Sequence, residues 1–372
     1  MSLARLRRAD RGILALAGGI AVFGLVFVAS ATGHGATGSL GGQALRLAVA
    51  LLFGLGCLLA PSRFLKRHSY LLYGLALLGL VGVLLAGRAT NNARRWVDLP
   101  GGFKLQPSEF AKLGLLLALA KYASARRRLE TIEGLVLPCA LAVLPAVLVA
   151  AEPDLGTAIV FVPLLFGILY AGGARRGHLA ALLALGLVAL PAGSLLAMLS
   201  YQRERVVTWW EQDRLTADQK RGAGYHLFHS KVAVGAGGIA GQGIGAGTEN
   251  RLDLLPERAN DFVFAVVAEE TGFLGGTLLV GLYGGLVLLL FGAASRLREP
   301  FDRLLVTGVA CLFGTHLFVN VGVAIGTVPT TGLTLPFVSF GGSSTIAAAG
   351  ALGLALNALA RRELEFSEDA FA

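Results

Sequence analysis

Apolar residues gather in ten long runs along this chain, each close to the ~20 residues that a helix needs to cross the hydrocarbon core of a bilayer. They lie near 12–31, 43–60, 70–86, 108–124, 133–151, 157–172, 178–199, 271–294, 304–327 and 343–359. The pattern predicts an all-α polytopic membrane protein with about ten transmembrane helices in a single integral-membrane domain, 1–372, and a large outer loop at about 200–260 between spans 7 and 8. The first run follows Arg5, Arg7 and Arg8 and ends in a signal-like "ASA" at 29–31, but it is long for a signal peptide and nine further spans follow, so it reads as a span. Composition agrees: 55% of residues are hydrophobic and only 15% charged, with a mean hydropathy of +0.69. Cys57, Cys139 and Cys311 each sit inside an apolar run without disulfide or metal spacing and read as small buried hydrophobes.

Lysine and arginine set the orientation. Arg5, Arg7, Arg8, Arg11, Arg63, Lys66, Arg67, Lys121, Arg126, Arg127, Arg128, Arg175, Arg176, Arg296, Arg298, Arg303, Arg361 and Arg362 all fall on one side if the N-terminus is cytoplasmic. Three of the opposite loops, 32–42, 152–156 and 328–342, have no Lys or Arg, so the positive-inside rule puts both termini in the cytoplasm. Most remaining cations then lie outside: Arg88, Arg94, Arg95 and Lys104, and Arg203, Arg205, Arg214, Lys220, Arg221, Lys231, Arg251 and Arg258. Two readings stand: ordinary solvated loop charge balanced by nearby acids, or a site for an anionic partner such as phosphate. Positive charge dispersed among spans, with no binding module, excludes a nucleic-acid partner.

Four outer helix starts carry similar punctuation: "QPSEFAK" (106–112), "EPDLGTA" (152–158), "LPERAND" (255–261) and "PFVSFGGSST" (336–345). Proline suits the first position of a helix, and an acid in the first turn caps it; capping is one explanation, and the wall of a shared polar cavity is the other. Glu109 and Lys112 share a helix face, as ionisable groups near a span need a partner or a wet cavity. A helix beginning at Pro256 would set Glu257 and Asp261 one turn apart, where burial and a like charge raise the pKa of Asp261 toward that of a general base. Glu270 would project to the opposite side, 256–270 would line the cavity, and the uninterrupted span would begin at Thr271. Ser339, Ser343 and the glycines between them offer hydroxyls and amides as an anion cradle. His226 and His229 read as structural or solvated, and the glycines of 235–247, lacking a preceding strand, read as a flexible, partly embedded loop rather than a dinucleotide site.

These segments resemble the SEDS family of bacterial cell-wall glycosyltransferases. The likeness runs through "NNARRWVDLPGGFKLQPSEFAK" (91–112), "EPDLGTA", "YQRERV" (201–206), the stretch 222–276 and "PFVSFGGSS" (336–344), and "QPSEFAK" with "LPER" is most like the elongation-specific branch rather than the division-specific one. It implies a multi-pass polymerase of the bacterial plasma (inner) membrane that joins lipid II disaccharides into glycan strands on the outer face during elongation. Its partners would be a class B penicillin-binding protein transpeptidase and the elongation machinery, and its cofactor a divalent cation, Mg or Mn. By resemblance Asp261 matches the catalytic aspartate, Asp253 the acid of the family's segment just before "LPE", Glu109 and Lys112 the fourth-span pair, and Asp154 the aspartate of the "PDLGTA" segment. The sequence departs in two places, at three positions: Ala259 and Asn260 stand where the family usually has His-Thr, and His229 where it usually has Gln. The chemistry would be inverting, with Asp261 as base and Arg203, Arg258 and the cations of 88–104 holding the pyrophosphate. A lipid II flippase or transporter, a division-type polymerase and a scaffold for the transpeptidase are the competing readings; transporters typically carry inverted repeats and broken midplane helices, whereas the ionisable groups here gather at outer helix ends.

Overall fold

The computed structural model describes residues 10–32, 40–90, 93–99, 103–125, 129–197 and 200–369; Arg5, Arg7, Arg8, Arg126, Arg127 and Arg128 lie outside them. The fourteen helices in this range are α1 (Arg11–Thr32), α2 (Leu40–Leu59), α3 (Ser62–Ala86), α4 (Pro107–Ser124), α5 (Ile132–Ala151), α6 (Leu155–Ala171), α7 (Arg176–Ala197), α8 (Ser200–Trp210), α9 (Ala217–Arg221), α10 (Tyr225–Ala236), α11 (Thr248–Arg251), α12 (Val263–Ser295), α13 (Pro300–Ala324) and α14 (Gly342–Asp369). Each of the ten apolar runs coincides with one of these helices over most of its described residues. Seven of them, α1, α2, α3, α5, α12, α13 and α14, are long and apolar enough to cross a membrane. Of the other three, α4 has 18 residues and includes Glu109, Lys112 and Lys121, α6 has 17 residues, and the apolar stretch of α7 is described over Arg176–Leu187.

The outer segment 87–107 differs from the all-α expectation. It contains a three-stranded antiparallel sheet, β1 (Arg88–Thr90), β2 (Ala93–Leu99) and β3 (Phe103–Leu105), in the order β1-β2-β3. Val97 pairs with Leu105 and Asp98 with Lys104, and the ribbon leads directly into α4. The large outer loop is likewise ordered, as α8 to α11.

Among the seven spans, α14 and α13 are the most enclosed by the rest of the protein. The whole apolar stretch of α14 is buried inside the protein, against 17% of that of α2. α14 packs on α2, α4 on α3, and α12 on α13 and α1. Burial of α14 by neighbouring protein requires close approach of backbones, which small residues permit: a Cβ on Gly353 would lie 2.2 Å from the Gly54 carbonyl oxygen.

Polar contacts divide between two ends of the bundle. At one end Lys66 pairs with Glu299 at 2.7 Å, Arg361 with Asp302 at 2.6 Å, and Asn357 donates to the carbonyls of Cys57, Leu58 and Ala60 that finish α2. Lys66 and Arg361 are among the cations that the charge bias places on the cytoplasmic side, and the segments expected outside come together at the opposite end.

The long helix α12 is broken at Gly272, whose φ of 68° and ψ of −163° belong to a region essentially restricted to glycine. The break matches the expected start of the uninterrupted span at Thr271. It is filled by the glycine-rich segment 237–243: Phe273 N donates to Gly238 O at 2.8 Å and Gln242 N to Glu269 O at 3.0 Å. This corrects the reading of those glycines as a flexible loop, because their use is close packing; a Cβ on Gly241 would meet the Glu270 carbonyl oxygen at 2.2 Å. A Cβ on Gly272 would lie 2.4 Å from Gly241 N. Gly272→Ala is therefore expected to lower thermal stability well beyond the ~1–3 kcal/mol of backbone strain alone, whereas Gly281→Ala, with open space around it, leaves the unfolding temperature nearly unchanged.

Candidate active site

Asp261 lies in the turn that precedes α12. No helix begins at Pro256, contrary to the sequence expectation: Glu257 takes a left-handed φ of 51°, and residues 256–262 form turns in which Asn260 N and Asp261 N both donate to Glu257 O, at 2.9 and 3.0 Å. Proline at the second position of a turn is as well suited as proline at a helix start, and the left-handed residue after it stops the helix. The turn nevertheless keeps Glu257 and Asp261 near one another electrostatically.

Three hydrogen bonds from two other segments, 327–341 and α13, fix this turn. Phe340 N donates to Ala259 O at 2.6 Å, Ser339 Oγ donates to Asn260 O at 2.6 Å, and Asn320 Nδ2 on α13 donates to Asp261 O at 2.9 Å. The Asp261 carboxylate passes close to the 327–341 segment, since a Cβ on Gly332 would be 3.4 Å from Oδ2. The pKa of Asp261 is pushed up to about 7, first by loss of water and then by the negative charges of Glu257 and Asp154; Arg205 and Arg95 pull the other way. A carboxyl poised near neutrality can take a proton from an alcohol at working pH and return it afterwards.

The remaining candidates occupy several distinct settings. Asp154 caps α6, accepting from Thr157 N at 3.2 Å and from Thr157 Oγ1 and Gln106 Nε2, both at 2.9 Å. Glu257 is exposed and accepts from Asn260 Nδ2 at 2.6 Å. Arg258 is buried, pairs with exposed Asp253, and donates from Nε to Ala31 O at 2.9 Å, so it fastens the turn to α1. Arg203 is exposed on α8. Ser343 Oγ accepts from Gln106 N and donates to Lys104 O, each at 2.9 Å. The hydroxyls of Ser339 and Ser343 thus join outer segments to one another.

Glu109 and Lys112 pair at 2.8 Å in a cleft that Asp261 does not line. Both are buried between α4, α13 and α14, and the cleft around them leaves no room for water. Lys112 Nζ also reaches His316 Nε2 at 3.1 Å, while His316 Nδ1 lies 2.8 Å from Thr334 O. A carbonyl only accepts, so Nδ1 carries the proton and Nε2 accepts from the ammonium. The two glutamates inside the α12 apolar stretch anchor rather than line a cavity. Glu269 accepts from the backbone N–H groups of Glu249 and Asn250 at 2.7 and 3.2 Å. Glu270 accepts from Ser30 Oγ at 2.5 Å and Asn250 Nδ2 at 2.7 Å. Together they bind the end of the glycine segment to α12 and α1.

Residues 11–364 match the family described as FTSW_RODA_SPOVE, cell cycle protein. The chain belongs to this family, the SEDS proteins. It is 39% identical, over 96% of its length and 94% of the relative's, to a protein of Tolumonas auensis named "Probable peptidoglycan glycosyltransferase FtsW". It is 33% identical, over 82% of its length and 81% of the relative's, to the peptidoglycan glycosyltransferase MrdB of Escherichia coli. Among solved structures, a chain of a peptidoglycan synthase complex that coordinates polymerization and crosslinking superposes with a TM-score of 0.80, at 36% identity, covering 95% of this chain and 98% of that one. The rod shape-determining protein RodA of Thermus thermophilus gives 0.71 at 34% identity, covering 95% and 97%.

In this SEDS protein, Arg95 is one of the cations of 88–104 expected at the pyrophosphate, whereas Glu152, His316 and Asn320 had no individual reading from sequence. Arg95 of β2 donates to the carbonyls of Glu152, at 2.8 Å, and Pro153, placing its charge next to the start of α6. Arg205 on α8 lies 3.4 Å from Thr330 O. Glu152 is buried, its pKa pushed up to about 8 by desolvation and by Asp154, with Arg95 opposing. His316 and Asn320 were legible in principle, being two polar side chains four residues apart inside an apolar run. His229 Nδ1 lies 2.6 Å from Glu249 Oε2 and His226 stacks on Phe262 with ring centroids 5.9 Å apart. Among the described residues no group of three or more His, Cys, Asp or Glu side chains could hold a metal ion. An exposed carboxylate such as Glu257 suits the other arrangement, in which a hard cation is shared with substrate phosphate oxygens and water.

Proposed function

We propose that this chain is a lipid II polymerase of the bacterial plasma membrane, with Asp261 as general base. The observation that carries the reading is the placement of the Asp261 carboxylate at the outer end of the bundle, beside the 327–341 segment, where burial and the charges of Glu257, Asp154, Arg205 and Arg95 act on it and its pKa is pushed up to about 7. In its ionised form Asp261 accepts the proton of the acceptor sugar's 4-hydroxyl as that oxygen attacks the anomeric carbon of the donor. The new C–O bond forms as the bond to the pyrophosphate breaks, undecaprenyl pyrophosphate departs with the electron pair, and the anomeric centre inverts. Arg203, exposed on α8, and Arg205, whose charge acts on Asp261, are suited to the developing charge on that leaving group. Arg258 acts on the site by holding its turn. A divalent cation, Mg or Mn, held by Glu257 together with the substrate, would neutralise pyrophosphate charge.

A class B penicillin-binding protein is the proposed partner, supported by the likeness to a chain of a synthase complex. The elongation-specific role is supported by "QPSEFAK" and "LPER" and by the likeness to RodA; the division-specific role is supported by the higher identity to the FtsW relative. Expression in cells depleted of one or the other polymerase separates them: rod shape restored without division is the outcome expected, and septation restored instead would transfer the chain to the division branch. Purified protein incubated with labelled lipid II tests the reaction itself. Glycan ladders are expected; labelled lipid that crosses a vesicle bilayer without forming polymer would support a transporter, and neither result would support a scaffold.

A further inference from the structure

We propose that Asn320 is a positioning residue for Asp261: its amide ties the Asp261 main chain to the 327–341 segment and so fixes where the carboxylate meets the acceptor sugar. The inference rests on the reading of Asp261 as the base, and its test separates the two.

Asn320 lies near the outer end of α13 with 1% of its surface exposed. Nδ2 donates to Asp261 O and to Leu333 O, each at 2.9 Å. Both partners are carbonyls, which only accept, so the orientation of the amide is determined and both of its N–H groups are used. Oδ1 is then left buried without a hydrogen-bond partner. An unpaired buried acceptor is costly, and an apolar side chain of similar size would avoid the cost. The two donors explain why an amide is placed there.

What those donors join is the reacting region. Leu333 directly follows Gly332, the residue whose Cβ would lie 3.4 Å from Asp261 Oδ2. Within the turn 256–262 a single carbonyl, Glu257 O, accepts from Asn260 N, Asp261 N and Phe262 N, and the hydrogen bonds of the helix begin only with Ala265 N to Phe262 O, so the carbonyl side of Asp261 is held from outside the turn. Ser339 and Phe340 secure Asn260 and Ala259, while Asn320 secures Asp261 itself. Loss of the amide would let the base drift relative to the segment that passes its carboxylate, and small misplacement of a catalytic group lowers the rate of the chemical step more than substrate binding.

Asn357 supplies a control of the same chemistry in a different place, because it donates to three carbonyls at the cytoplasmic end of α2. The full chain, purified in detergent, is assayed for lipid II polymerisation per folded molecule. Asn357→Ala is expected to melt earlier with kcat unchanged. Asn320→Ala is expected to lose at least ~10-fold in kcat, with KM for lipid II within ~2-fold. Asn320→Ser, which keeps one donor, should fall between, and it carries the test alone if the alanine variant does not accumulate. In an Asp261→Asn background, Asn320→Ala should bring no further loss, because residues acting through one another are not additive. Wild-type kcat in both Asn320 variants, or an equal loss with and without Asp261, would overturn the proposal. Wild-type rates in Asp261→Asn alone would overturn the base assignment on which it stands.

Discussion

Asp261→Asn is expected to reduce glycan polymerisation by about 10²–10⁴-fold, the usual contribution of a positioned general base, while leaving the fold intact. The same substitution carries a stability signature. The pKa of Asp261 is raised from 3.8 to about 7 in the folded protein, so the fold favours the neutral carboxyl. For an acid shifted upward, the stabilising contribution is complete below the unfolded pKa and is lost as pH rises through the folded one. Asparagine stays neutral throughout. The variant should thus unfold at a higher temperature than wild type at pH 8, with the difference shrinking toward pH 4. A catalytically silent variant with higher neutral-pH stability is the behaviour of a group whose environment serves chemistry; lower stability at pH 8 would point to a structural carboxylate.

Lys112→Met is expected to be strongly destabilising, on the order of 3–5 kcal/mol, because it leaves the buried Glu109 carboxylate without its counter-charge. The pair is 2.8 Å apart in a cleft without space for water, so solvent cannot replace the lost partner. Glu109→Gln combined with Lys112→Met removes both charges and should recover most of that loss. Activity should recover less than stability. Lys112 also donates to His316 Nε2, whose other nitrogen donates to Thr334 O, and Thr334 adjoins Leu333, the residue tied through Asn320 to Asp261. Thermal unfolding of the single and double variants, with polymerisation per folded molecule, checks both statements; a double variant no more stable than Lys112→Met would rule out charge burial as the cause.

The spans were legible because a lipid-crossing helix needs a long apolar run, a signal that survives without knowing its neighbours. The gathering of cations was legible for a similar reason: Lys66 and Arg361 meet Glu299 and Asp302, two acids three residues apart, at one end of the bundle. Local punctuation was less decisive. "LPER" reads equally as a helix start or a turn, and the left-handed φ of Glu257, 51°, settles it as a turn. The sheet at 88–105 has strands of three and seven residues interrupted by Gly and Pro, too short for an alternating pattern to emerge. Glu109 and Lys112 were expected to share a face, and they do, but whether that face opened on a wet cavity or a dry one depended on α13 and α14. Glu269 and Glu270 look like intrusions in an apolar run until the backbone N–H groups of Glu249 and Asn250 arrive from 20 and 19 residues away. Asn320 was missed because its two acceptors, Asp261 O and Leu333 O, come from different segments that only the fold unites.

The most direct measurement is the pH dependence of single-turnover lipid II coupling by the purified wild-type protein. If Asp261 removes the acceptor proton, the rate should rise with unit slope up to a midpoint near 7, the pKa of this carboxyl, and that limb should vanish from the residual activity of Asp261→Asn. A rate independent of pH between 5 and 9, or the same limb retained by Asp261→Asn, would contradict it.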